Sequence, residues 1–143
     1  MTKGWKLESA RHSLARKGIK TKQLTISKQD KRKEFSRIVN ERAIELIQEA
    51  EKQFEKYEKT QTYSSFVQTN EKAWMAFKHK ISSIAGVALV KANQIRAFTK
   101  KNPKYYNAYK SAIAMHTFSF SGDILPPPEV IKPYLNDIKG FVK

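Results

Sequence analysis

The stretch Ser27–Lys59, SKQDKRKEFSRIVNERAIELIQEAEKQFEKYEK, decides the fold. Phe35, Ile38, Val39, Ala43, Leu46, Ile47, Ala50, Phe54 and Tyr57 recur at helical spacing with no Gly or Pro to interrupt them. The spacing predicts one helix from about Lys28 to Lys59, roughly 48 Å long at 1.5 Å per residue. Ser27, three positions before Asp30, supplies a capping-box-like start. Charge along this helix is uneven. Lys28, Lys31, Arg32, Lys33 and Arg37 crowd its first three turns, where the helix dipole is already positive. Glutamates dominate its second half, from Glu41 to Glu58. Cations at a helix start cost a little stability, and that placement makes sense against a polyanion.

Downstream, Gln61–Ser65 is a polar break, after which Phe66, Asn70, Trp74, Phe77, Ile81, Ile84, Ala88, Ala92, Ile95 and Phe98 restore the helical period. This predicts a second long helix that begins between Ser64 and Thr69 and runs to Lys101. Gly86 is then a tolerated weak point or a close-packing site. A turn this short forces the two long helices antiparallel. Lys100, Lys101 and then Lys104 would thereby come beside the start of the first helix. Asn102-Pro103 opens a third helix to about Thr117, since Pro suits the first helical position. A loop with Phe118, Phe120, a Gly122-Asp123 turn and three prolines follows. A last helix is expected over about Glu129–Gly140, with Pro133 kinking it or delaying its start. No strand and no repeat is predicted. The expected fold is all-α, an antiparallel bundle of about four helices, two of them long, over residues 28–143.

Residues 1–27 form a separate basic arm in this reading. From Met1 to Arg37 twelve cations stand against Glu8, Asp30 and Glu34, a surplus of nine out of the chain's +15. With Trp5, Leu7 and Leu14 as its few large apolar residues before Leu24, the arm cannot bury enough surface to order itself alone. A short helix is predicted over residues 4–17, ended by Gly18, with an extended connector over 19–26. Its cations surround the helix instead of collecting on one face. Such a segment fits phosphates on more than one side.

A pI near 10.0 points first to nucleic acid, then to an anionic membrane surface, and third to acidic proteins. The absence of Cys excludes a disulfide framework, a thiolate nucleophile and a zinc ribbon. The polar, charged N-terminus is not that of a signal peptide. Ile81–Val90, the longest nearly apolar run, is about half a membrane span. No enzyme is predicted, because no converging constellation is visible. His12, His79 and His116 lie far apart without partners at ligand spacing, and Gly18-Ile19-Lys20-Thr21 lacks the second glycine and preceding strand of a phosphate loop. Tyr105, Tyr106 and Tyr109 read as core packing or a wet edge, and no metal or cofactor is expected.

The candidate nucleic-acid contacts are therefore Lys3, Lys6, Arg11, Arg16, Lys17, Lys20, Lys22, Lys28, Lys31, Arg32, Lys33, Arg37, Lys100, Lys101 and Lys104. Matching +15 to duplex phosphates at one charge per 1.7 Å gives roughly 25 Å of double-stranded DNA axis per chain. That suits a stoichiometric coat. Helices of thirty residues do not offer the short recognition helix after a tight turn that base reading uses, so phosphate-directed, sequence-independent binding fits better.

A basic N-terminal arm running into a small bundle with long helices resembles the major capsid (coat) proteins of filamentous archaeal viruses, the rudivirus and lipothrixvirus group. The resemblance spans Met1–Lys143 and is one of layout. It implies arms wrapping double-stranded DNA in A form and a partner subunit that is a second copy or a paralogous coat protein. It also implies a helical capsid within a virion assembled in the host cytoplasm, in some members inside a lipid envelope. Separately, Gly4–Thr21, GWKLESARHSLARKGIKT, is similar to an N-terminal segment of various small archaeal and viral proteins. The alternative is a cellular archaeal chromatin-like or regulatory DNA-binding protein using the same arm.

Overall fold

The structure is a computed structural model that describes residues 27–120, 122 and 124–143. The short helix expected over 4–17 and the connector over 19–26 lie outside the described residues. Among the described residues the chain is all-helical, with five helices and no strand: α1 (Lys28–Thr60), α2 (Tyr63–Ala85), α3 (Ala92–Lys101), α4 (Pro103–Phe118) and α5 (Pro128–Val142). None is long and apolar enough to cross a membrane.

α1 begins and ends within a residue of its expected bounds. The Ser27 hydroxyl accepts the Asp30 amide at 3.0 Å, which satisfies one of the free N–H groups of the first turn. At the other end Gln61 adopts a left-handed conformation (φ 46°) and its N–H returns to the Tyr57 carbonyl. The Thr62 hydroxyl then caps α2 by accepting the Ser65 amide. A connection of two residues leaves α1 and α2 no choice but to fold back on each other. Their antiparallel register is held by Ser83 Oγ donating to the Ser36 carbonyl (2.7 Å) and Lys80 Nζ to Asn40 Oδ1 (2.8 Å). At the opposite end the Tyr57 and Phe66 rings meet at 5.3 Å.

The second helix is shorter than its sequence period predicts, and this corrects the expected count of four helices to five. α2 stops at Ala85 because Gly86 takes φ 75°, a left-handed cap that an L side chain resists. Ser82 Oγ then accepts the Leu89 amide at 3.0 Å, holding the chain off the helix axis. α3 starts afresh where Gln94 Oε1 accepts the amides of Lys91 and Val90. The Asn102 side chain donates to the Phe98 carbonyl as α3 ends, and Pro103 opens α4 as expected. Pro133 lies inside α5, which begins at Pro128 with no delay.

The core is one apolar cluster to which all five helices contribute. Leu46, Ile47, Phe66, Phe77, Ile81, Ile95, Met115, Ile131 and Ile138 are fully buried, each such side chain contributing about 1.5–3 kcal/mol of transfer free energy. Phe54 and Trp74 are buried as their spacing predicts, whereas Phe35 is only half-buried, near the start of α1. α4 runs antiparallel to α2, with Tyr109 against Phe77 and His116 against Trp74. α5 returns along α4, with Tyr134 near Phe118 and Phe141 near Tyr105.

Candidate nucleic-acid interface

These registers fix where the basic side chains fall along the body. Gly86 lies against Arg32, so the end of α2 and the start of α1 share one end. Tyr109 is level with Phe77, and Lys104 lies five residues, about 7.5 Å, closer to that end. Arg32, Lys33, Lys100, Lys101 and Lys104 are thus gathered toward one end along the helical axis, and all are exposed. Lys28 is exposed and Lys31 half-exposed at the tip.

Among the described residues, Lys28, Lys31, Arg32, Lys33, Lys100 and Lys101 make no ion pair. Lys104 rests over the Tyr105 ring at 5.0 Å, a contact that keeps its charge. Arg37 differs from the rest. Its guanidinium binds Glu34 at 2.5 Å and Glu41 at 2.7 Å along one face of α1. Hydrogen bonding from Arg37 holds the Glu34 carboxyl below its ordinary range, and the same bond raises the guanidinium. Arg37 is thereby committed to local carboxylates. The remaining predicted contacts, Lys3, Lys6, Arg11, Arg16, Lys17, Lys20 and Lys22, lie outside the described residues.

The sequence reading also missed a signal. From Lys72 to Gly122 the chain contains nine Lys or Arg and no Asp or Glu. This acid-free run adds Lys91, Arg96 and Lys110, all exposed, to the predicted set. Lys110 lies over Tyr106 at 5.2 Å, and with Lys104, Asn107, Ser111, Tyr134 and Asp137 it lines a groove of about 650 Å³ between α4 and α5. Ser111 Oγ donates to Asp137 Oδ2 at 2.8 Å on the groove wall. Tallying acids as well as bases along the chain would have revealed this second basic segment.

Elsewhere the polar groups serve packing. His79 Nδ1 meets the Met75 carbonyl at 2.9 Å, one turn away. His116 Nδ1 and Ser119 Oγ both meet Glu71 Oε2, at 2.9 and 3.1 Å, while the imidazole stacks on Trp74. The serine thus reaches the carboxylate instead of the imidazole, which is not the order a hydroxyl nucleophile needs. Glu49 bridges Lys72 and Arg42, and Glu51 takes both Lys139 and Lys143. Burial pulls both carboxyls upward; the hydrogen bonds and charges of Lys72 and Arg42 at Glu49, and of Lys143 and Lys139 at Glu51, together outweigh it and leave each below its ordinary value. Among the described residues no cluster of three or more His, Asp or Glu could hold a metal ion.

No protein-family model matches the chain, no curated protein matches it in sequence, and no solved structure matches its fold.

Proposed function

We propose that this chain is a non-enzymatic, sequence-independent DNA-coating protein, the structural subunit of a helical nucleoprotein filament of the kind found in filamentous archaeal virions. The observation that carries this reading is the segregation of charge. The arm and the 72–122 run hold most of the cations, and on the described helices Arg32, Lys33, Lys100, Lys101 and Lys104, exposed and without an ion pair, gather toward one end, while Lys52, Lys56 and Lys59 at the other stand among Glu51, Glu55 and Glu58. Counterion release from a duplex rewards such clustering whatever the base sequence, because the contacts are to phosphate. Aromatic rings interleaved with Lys104 and Lys110 hold those lysines out without neutralising them. In this reading the arm wraps the duplex, the bundle end seats against it, and the partner subunit is a second copy or a paralogue.

The deciding measurement is electron microscopy of the protein with linear double-stranded DNA at graded ratios, beside anisotropy titrations on duplexes of scrambled sequence. Regular filaments of fixed protein mass per base pair are expected, with affinities equal within a few-fold and falling steeply with salt. Deleting residues 1–25 should abolish coating and leave the helical content of the bundle nearly intact. A thousandfold preference for one site would reject the coat and favour a regulatory DNA-binding protein.

A further inference from the structure

Two exposed apolar patches lie at opposite ends of the helical body. One is the corner where α2 gives way to α3, where Ile84, Val87 and Val90 are 40%, 47% and 49% exposed. The other is the tip beyond α4, where Phe120 is 74% exposed and Tyr63 45%. Phe120 is held out by an edge contact to His116, and Tyr63 donates to the Ser119 carbonyl, so the tip is a built surface. The corner sits at the level of Arg32 and the tip near that of Tyr57, through the Tyr57–Pro126 hydrogen bond and the Tyr57–Phe66 ring pair. Twenty-five helical residues separate those levels, about 37 Å.

Charge follows the same axis. Residues 78–110, which include the corner, hold eight cations and no carboxylate, whereas residues 45–72, toward the tip, hold six carboxylates and four cations, and Lys139 and Lys143 on Glu51 bring that half to neutrality. Two corners would therefore repel, whereas a near-neutral tip does not repel a corner and matches its apolar character. We propose that copies of this chain join head to tail, the Ile84–Val90 corner of one copy docking on the Phe120–Tyr63 tip of the next. Such a contact uses two different surfaces of one molecule, so it leaves a free surface at each end and propagates as an open filament. Patches this small give a weak pairwise contact. This deepens the coat reading and rests on it in one respect: duplex DNA supplies the local concentration that makes a weak contact persist.

Because the chain has no Cys, Val87→Cys and Phe120→Cys each carry a single thiol at an exposed position. The two variants are mixed on saturating duplex DNA and treated with a short bis-maleimide, while anisotropy confirms that each still binds the duplex. The mixture should give at least about ten times more cross-linked dimer than either variant alone, because only a corner-to-tip contact between unlike variants brings two thiols together, while templating raises local concentration about equally in all three samples. Equal cross-linking of Phe120→Cys alone would mean tip-to-tip pairing and overturns the proposal, as does the absence of product while both variants bind DNA. Should duplex binding itself fail, the coat reading falls separately. The same mixture at high protein concentration without DNA then decides the contact: mixed dimer supports it and its absence overturns it.

Discussion

Ser82 Oγ accepts the amide of Leu89 at 3.0 Å, and this bond holds the chain beyond Gly86 off the axis of α2. It divides what the hydrophobic period reads as one long helix into two. The division turns the chain into α3 before α4 returns along α2.

Ser82→Ala should therefore lower unfolding free energy by about 1 kcal/mol, the worth of one partly buried hydrogen bond. Gly86→Ala should cost about 1–2 kcal/mol, because φ 75° is strained for alanine, although its Cβ would meet the Arg32 side chain only at ordinary contact distances. Urea unfolding of both variants measures this. Were α2 continuous through residue 86, the alanine would stabilise by up to about 1 kcal/mol instead.

Glu51 ties the last turns of α5 to α1 through Lys139 and Lys143, at 2.9 and 2.8 Å. Its carboxyl is held below its ordinary value, so this contribution is present above the unfolded carboxylate pKa and is lost as pH falls through the lower folded one. Glu51→Gln should lose about 1 kcal/mol near neutral pH. Its stability should then fall less steeply than the parent's between about pH 5 and 3, as denaturant titrations across that range would record.

Asn70 is fully buried on α2, and neither its Oδ1 nor its Nδ2 has a hydrogen-bond partner among the described residues. A desolvated, unsatisfied amide costs about 1–3 kcal/mol, so Asn70→Leu should raise unfolding free energy by about 1 kcal/mol or more. Equilibrium unfolding at fixed pH tests it, and a loss of stability would mean that the amide is satisfied.

Lys100, Lys101 and Lys104 are exposed cations without carboxylate partners among the described residues, whereas Arg37 is bound to Glu34 and Glu41. Replacing the three lysines by Gln should reduce the slope of log affinity for duplex DNA against log salt by about 2–3. Arg37→Gln should leave that slope nearly unchanged. A larger effect from Arg37 would show that its local pairs break on DNA.

Much of the helical framework was legible because its signals are local. Ser27, the unbroken period from Phe35 to Tyr57, and the Asn102-Pro103 pair each act within a few residues of themselves, and α1 and α4 begin within a residue of their predicted starts. The Gly86 break was not legible. Ile84, Ala88, Ala92 and Ile95 keep the helical period across it, and a lone glycine inside a period costs only about 1 kcal/mol. What decides the outcome there is the Ser82 hydroxyl meeting an amide seven residues on, a contact no period encodes. The candidate site divides in the same way. The cations could be counted in the sequence, but that Arg37 is neutralised depends on rotamers along the α1 face.

By itself the sequence determined a helical body, a short polar return near Gln61 between its longest helices and the surplus of positive charge, because propensity, capping and composition act locally. Only the tertiary structure decided that α2 ends at Ala85, that Lys104 and Arg32 fall toward the same end, and that Phe120 and Val87 are left uncovered at opposite ends. Those outcomes depend on packing and on hydrogen bonds between segments distant in sequence, where a few kcal/mol of burial outweigh the weak preferences of single residues.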